Sequence, residues 1–347
     1  MSGSLKLGLN TGYWAGGPPP GITEAIAEAE RLGFDSIWTA EAYGSDCLTP
    51  LAWWGAHTGR IRLGTAIVQM SARQPAATAM AAMTMDHLSG GRFILGLGVS
   101  GPQVVEGWYG MPFAKPLART REYIGILRDI WARKGPVTNE DGAHYPLPLP
   151  GGTGLAKPLK SSIHPLREDI PVFLGAEGPK NIALAAELCD GWLAMLFSPT
   201  QPDYFVDALS EGFGRDGARR SWDDFEVAAT VPMIVSDDLD AAADALRPFY
   251  ALYFGGMGAK GKNFHANVAI RLGYENEVEQ IQDLYLGGKK DEAGAKVPRK
   301  LIEDLSLIGP EDKIRDDVEK WRESIVTTLL VSGDAATVRK AAELVLG

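Results

Sequence analysis

The chain has 347 residues, 45% of them hydrophobic, and a formal net charge of −10. That is enough for a full core in one large α/β domain or two smaller ones. The acidic balance argues against a nucleic-acid partner, which calls for a basic stripe, and against docking at an anionic membrane surface.

In chain order, Lys6 to Asn10 reads as a first strand and Gly21 to Leu32 as a helix of Ala and Ile alternating with Glu, closed by Gly33. Phe34 to Trp38 is a second strand and Pro50 to Thr58 a helix. Ile61 to Val68 is the third strand. Pro75 to Leu88 is its helix, with the proline early, where a missing N–H costs little. Phe93 to Val99, Pro171 to Gly175, Gly191 to Leu196, Phe225 to Val235 and Val326 to Val331 complete eight short apolar strands. Helices are expected at Arg119 to Arg133, Pro179 to Leu188 and about 201–215, 240–255, 311–324 and 334–345. Eight strands alternating with helices predict a (β/α)8 TIM barrel, whose site sits on the strand C-termini. The organisation expected is a single domain over residues 1–347. Two insertions, about 135–169 and 255–305, account for the length beyond a typical barrel; they either shape the substrate mouth or elaborate packing and oligomer contacts.

Absences narrow the chemistry. The five histidines are scattered, with no HxH or HExxH, so no metal site is expected. His87 suits a helix C-terminus and is read as structural. There is neither a GxSxG elbow nor a Walker A loop. Gly96, Gly98 and Gly101 spell G-x-G-x-x-G, but at a fourth strand and without the acidic residue that a dinucleotide fold needs. Cys47 and Cys189 lie far apart and fit a reducing, cytoplasmic setting. No basic stretch with an apolar segment precedes Leu5 and no run of roughly 18 apolar residues occurs, so neither a signal peptide nor a membrane span is expected.

Gly33-Phe-Asp-Ser-Ile-Trp-Thr-Ala-Glu41, Leu63-Gly-Thr-Ala-Ile67, Asp86-His-Leu-Ser-Gly-Gly-Arg92, Phe93-Ile-Leu-Gly-Leu-Gly98 and Gly175-Ala-Glu-Gly-Pro179 running on to Cys189-Asp-Gly-Trp192 follow one another along the chain. Together, in that order, they resemble the luciferase-like family of flavin and deazaflavin oxidoreductases. Val99-Ser-Gly-Pro-Gln-Val-Val-Glu-Gly-Trp-Tyr-Gly110 is similar to the actinobacterial branch dependent on coenzyme F420. The resemblance implies a deazaflavin lying across the C-terminal strand ends. It also implies a non-proline cis peptide at Ala66–Ile67 that supports the ring from behind, and a homodimer. Gly98, Val99 and Ser100 are expected to line the same pocket. Gly175, Ala176, Glu177, Gly178 and Pro179 join a strand to a helix N-terminus, which suits an anion, and by resemblance meet the cofactor tail. The same loop also reads as a tight turn.

This chain departs from the family in two places. Several F420-dependent relatives carry an Asp-His pair at the end of the second strand, where Glu41 and Ala42 stand here. Gly101 stands near where a sugar-phosphate dehydrogenase relative carries a Glu, so that role is not expected. Glu41 is either a catalytic carboxylate at a strand C-terminus or a hydrogen-bond acceptor behind the site. Tyr43 either supplies a proton or stacks as wall. Asn10, Tyr13 and Trp14 follow the first strand and are candidate substrate contacts. Trp53, Trp54, Trp108 and Tyr109 form either an apolar surface or core. The reading is an F420-dependent oxidoreductase exchanging a hydride with a small organic substrate. The alternatives are an FMN-dependent monooxygenase of the same fold and a non-catalytic flavin or F420 carrier.

Overall fold

The computed structural model describes residues 5–258 and 263–347. Residues 259–262, within the second expected insertion, lie outside the described residues. The first half of the chain runs β1 (Lys6–Gly12), α1 (Ile22–Arg31), β2 (Ser36–Thr39), α2 (Leu48–Gly55), β3 (Arg62–Thr65), β4 (Val68–Gln69), α3 (Pro75–Ser89), β5 (Phe93–Gly98), α4 (Pro102–Gly107) and α5 (Pro116–Ala132). It continues through β6 (Val172–Gly175), α6 (Pro179–Leu188), β7 (Gly191–Met195), α7 (Asp203–Phe213), β8 (Glu226–Thr230), β9 (Met233–Val235) and α8 (Leu239–Ala251). A π-helical turn, Leu252–Gly256, leads to α9 (Phe264–Arg271), α10 (Glu275–Leu286), α11 (Lys290–Ala295) and α12 (Arg299–Leu305). β10 (Leu307–Gly309), α13 (Glu311–Arg322), β11 (Thr328–Val331) and α14 (Ala335–Val345) complete it.

The strand order β3-β2-β1-β11-β8-β7-β6-β5-β4, with β3 also paired to β5, closes a parallel barrel. Counting β3 and β4 as one interrupted strand gives the eight of a TIM barrel. The third strand is therefore not continuous as its sequence suggested. Gly64 pairs with Ile94 and Val68 with Leu97, so β3–β4 spends four steps where β5 spends three, which is a one-residue bulge. The Ala66–Ile67 peptide inside that bulge is cis, as the family resemblance implied.

The barrel interior alternates large and small. Trp38, Ile94, Phe173, Leu193, Ala228 and Leu330 fill it, with Ala66 and Ile67 packed against them. A Cβ at Gly64 would stand 2.3 Å from the Trp38 ring, and one at Gly191 would stand 2.7 Å from Phe173. Each glycine is thus the hole for a neighbouring aromatic knob. At the N-terminal end Arg62 donates to Asp35 and, at 2.8 and 2.7 Å, to Glu226, which also accepts from Lys6. This charged clasp lies away from the mouth and reads as a stability device.

Two expectations are corrected here. Phe225 to Val235 is not one strand. β8 ends at Thr230, and Pro232, which has no N–H for the ladder, precedes β9, which leaves the barrel and pairs with β10. The second insertion, for which no elements were expected, is helical. Its helices pack around Tyr250, Phe254, Val268, Ile281, Leu301 and Ile302 in a cluster of their own. Short helices broken at Gly273 and at Gly287–Gly288 gave too few turns to show a period. The first insertion has only isolated bridges, Val137 with Leu159 and Asn139 with Leu147. It is tied down by Glu122, which accepts from the His144 and Tyr145 N–H groups, and by Arg167, which pairs with the buried Asp86. His87 lies in the last turn of α3 and contacts the His164 carbonyl at 2.7 Å.

Candidate active site

The mouth is built on three strand ends held in register: Gln69 opposite Gly98 and Gly98 opposite Gly175. The two glycines leave a gap that the Ile67 side chain occupies. A Cβ on Gly98 would stand 2.2 Å from Ile67 Cδ1, and one on Gly175 would stand 3.0 Å from Ile67 Cγ2. Ile67 therefore presents a flat, half-buried apolar shelf on top of the filled interior, with no side chain rising from β5 or β6 beside it. The Ala66 N–H donates to the Thr39 carbonyl at 2.6 Å and fixes the shelf to β2. Val99 and Ser100 continue past the shelf, and Ser100 holds φ at 58°, a turn that few residues other than glycine adopt.

On one side of the shelf the Gly175–Pro179 loop enters α6. Pro179 opens the helix and Gly178 is its N-cap, with no side-chain cap, so the first-turn N–H groups face an approach of small residues. Ala176 is buried, and its carbonyl accepts from Trp192 Nε1 at 2.8 Å. Glu177 Oε2 lies 2.7 Å from His265 Nδ1, in ion-pair contact but off the line of a hydrogen bond. His265 comes from the second insertion. Asn263 caps its helix, accepting from the His265 and Ala266 N–H groups while its own amide donates to the Tyr253 and Phe254 carbonyls. The Tyr253 ring stands edge-on to His265 at 4.9 Å. Burial pushes the Tyr253 hydroxyl well above its ordinary range, and Tyr13, Glu177 and Tyr43 add to the effect. The insertion and the π-helical turn before it thus bring His265 and Tyr253 to the same mouth as Tyr13 and Tyr43. Sequence reasoning missed both, because nothing local marks a residue that another segment's fold carries to the site.

On the other side stands Glu41, only 7% exposed. Its Oε1 accepts from the Gln69 N–H at 2.9 Å and from Arg73 Nη1 at 2.5 Å, while Gln69 Nε2 donates to the Glu41 carbonyl at 3.1 Å. Arg73 also bonds Asp46. Glu41, Asp46 and Cys47 could together surround a cation. The Arg73 guanidinium already supplies a positive charge to both carboxylates, and burial first, then Glu41, pushes the Cys47 thiol far above its ordinary value. Arg73 and Gln69 were also missed. They lie just beyond the third strand, where the sequence marks only a loop.

Tyr43 is exposed, and its ring centroid lies 6.3 Å from that of Tyr13. Partial burial, then Tyr43, raises the Tyr13 hydroxyl. Asn10 Oδ1 accepts from the Gly12 N–H at 3.0 Å, and the Asn10 carbonyl accepts from Ser332. The Trp14 ring lies tilted, 5.5 Å from that of Trp54, which is buried. The four aromatics considered as one surface separate: Trp54 is core, Tyr109 donates to the Ala42 carbonyl at 2.9 Å, and Trp53 and Trp108 are exposed.

The sequence profile of the luciferase-like monooxygenases matches residues 6–328. The chain belongs to that family. It is 55% identical over 348 residues to a Mycobacterium tuberculosis protein that carries the provisional name coenzyme F420-dependent oxidoreductase Rv3520c; the match covers 99% of this chain and 100% of the relative. Among solved structures it superposes on the coenzyme F420-dependent tetrahydromethanopterin reductase of Methanopyrus kandleri with a TM-score of 0.82 and 25% identity, covering 99% of both chains. An F420-dependent secondary alcohol dehydrogenase in complex with an F420–acetone adduct shares the fold, with a TM-score of 0.74 at 16% identity and coverage of 99% of this chain and 98% of that one. No helix among the described residues is long and apolar enough to cross a membrane.

Proposed function

We propose that this chain is an oxidoreductase that binds coenzyme F420 on the Ile67 shelf and passes a hydride between it and a small organic substrate. The carrying observation is the shelf itself. Gly98 and Gly175 in register, with Ile67 between them, form a bare apolar floor of the kind a planar ring requires. The resemblance to two proteins whose names state F420 dependence points the same way. Bound F420 supplies a two-electron hydride carrier at its central ring carbon.

The residues divide the remaining work. Ala66 and Ile67 support the ring from behind, and Gly98, Val99 and Ser100 border it. Gly175, Ala176, Glu177, Gly178 and Pro179 receive the anionic tail at the α6 N-terminus. Glu41 is a positioning residue. Held through Oε1 by Arg73 and the Gln69 backbone, it fixes the β4 end against β2. Tyr43, exposed beside Tyr13, is placed to exchange a proton with the substrate in place of the His that Ala42 replaces. Asn10, Tyr13 and Trp14 wall the substrate side. By family likeness, the working unit is one luciferase-like barrel domain over residues 1–347 that pairs as a homodimer in the cytoplasm.

The test is a fluorescence titration of the apoprotein with F420 and, separately, with FMN, following its nine tryptophans. Tight binding of F420 with little for FMN is expected. A preference for FMN, with oxygen consumed on turnover, would move the reading to a flavin monooxygenase. F420 binding without hydride transfer across a substrate screen would leave a carrier.

A further inference from the structure

A cavity of about 380 Å³ opens between the segment after β7 and helix α9. Its size falls within the range of small-molecule sites. Phe205, Val268 and Leu272 give it apolar walls, and Ser198, Thr200 and Arg271 bring polar groups to it. Arg271 stands with its guanidinium carbon 3.7 Å from the centre of the Tyr204 ring. That stacking orients the fork without consuming its donors. Among the described residues no carboxylate lies within ion-pair distance of Arg271. The Ser198 and Thr200 hydroxyls are 3.0 Å apart, so one proton of the pair remains free to donate. The N-terminus of α7, an eleven-residue helix with no side-chain cap, lines the same cavity through Pro202, Asp203 and Tyr204. Asp203, the one acid in the lining, is exposed at the first helical position, where it suits the helix dipole. An exposed guanidinium with no carboxylate in ion-pair contact, one free hydroxyl proton and uncapped helix N–H groups around one cavity together favour negative charge, although the Glu177 carboxylate already acts on Arg271.

We propose that this cavity is an anion-binding subsite, in which Arg271 and the α7 N-terminus hold a carboxylate or phosphate group of a small molecule. Its place in turnover rests on the F420 reading; the subsite itself does not. The anion belongs either to the substrate, which is then an acid or a phosphate ester, or to the cofactor tail. Gly101, which stands near where a sugar-phosphate dehydrogenase relative carries a Glu, does not line this cavity, so a phosphate ester stays within the anion class.

The experiment begins with inorganic phosphate titrated into the apoprotein by calorimetry, for the wild type, Arg271→Met and Arg271→Lys. The expected result is saturable binding by the wild type, weakened about tenfold or more in R271M and partly restored in R271K. Wild-type protein that binds no phosphate, or R271M that binds it equally well, overturns the proposal. Should R271M fail to fold, Thr200→Val reads the same pocket, with about threefold weaker binding expected and unchanged binding counting against it. The titration is then repeated with F420 present. Phosphate binding that survives assigns the subsite to the substrate, and phosphate binding that F420 competes away assigns it to the tail. Because the first arm uses no cofactor, a protein that ignores F420 but binds phosphate through Arg271 would remove the proposed function and keep the subsite.

Discussion

The Ile67 side chain occupies the space that a Cβ on Gly98 would need, with Cδ1 only 2.2 Å from that position. Two strand ends paired through β4 and β5 are thereby locked to each other's composition: a branched side chain on one requires its absence on the other. Gly98→Ala can be relieved only by turning the end of Ile67, so we expect a folded protein with F420 affinity reduced about tenfold, in line with overpacking costs of 1–3 kcal/mol. Gly96→Ala is the contrast, since its Cβ would stand 1.7 Å from the Thr65 carbonyl oxygen, which is backbone and cannot turn away. That variant should lose about 3 kcal/mol or more, or fail to fold. Thermal melts together with F420 titrations check both. Equal destabilisation by the two substitutions would remove the distinction.

Arg73 serves Glu41 and Asp46 at once, and Glu41 has almost no water to fall back on. Arg73→Met is expected to destabilise by about 3 kcal/mol, since removing one partner strands a buried carboxylate. Glu41→Gln alone should cost less, and the double variant should show coupling of about 1–3 kcal/mol between the two sites. Urea unfolding of the four proteins measures the cycle. A bracing Glu41 also predicts that E41Q leaves the pH profile of hydride transfer unmoved, whereas a proton-transferring Glu41 would shift it.

Acid sensitivity should trace in part to the clasp at the closed end. Burial raises the Glu226 carboxyl, but hydrogen bonds and charge from Arg62 and Lys6 outweigh it and hold the group below its ordinary value. A carboxyl depressed in the folded state contributes stability that is present above its unfolded pKa, about 4.3. That stability is lost as the pH falls through the lower folded value. Urea midpoints measured from pH 6 down to pH 3 should therefore decline for the wild type. Glu226→Gln should start less stable and decline less over that window. Parallel declines would show that Glu226 plays no part.

Both thiols are buried. Burial pushes Cys189 up to about 12, with Arg128 opposing and Asp190 adding to the rise, and Cys47 rises further still. Thiolate is the reactive form, so a maleimide or disulfide reagent at neutral pH should label neither cysteine until the chain is unfolded. Rapid labelling of the native protein would contradict the packing described.

The barrel was legible in the sequence because each strand carries a short apolar run ending in small residues, as in Phe93–Gly98, and each helix an apolar face. These local patterns record which side chains are buried, and burial has a period that sequence displays. The floor of the site was legible for the same reason. Gly98 and Gly175 are glycines because Ile67 stands between them, and the resemblance carried by Leu63–Ile67 implied the cis bond found there. The tertiary structure alone decided the rest. Arg73 meets Glu41, His265 meets Glu177, and Arg271 stacks on Tyr204 because barrel closure and the second insertion bring separate segments together. Pro232 turns β9 out of the barrel towards β10, a strand too short to announce itself. Periodicity determines what each segment hides from water. Which charged and polar groups end up facing one another is set by how the hidden faces pack, and no local pattern encodes that.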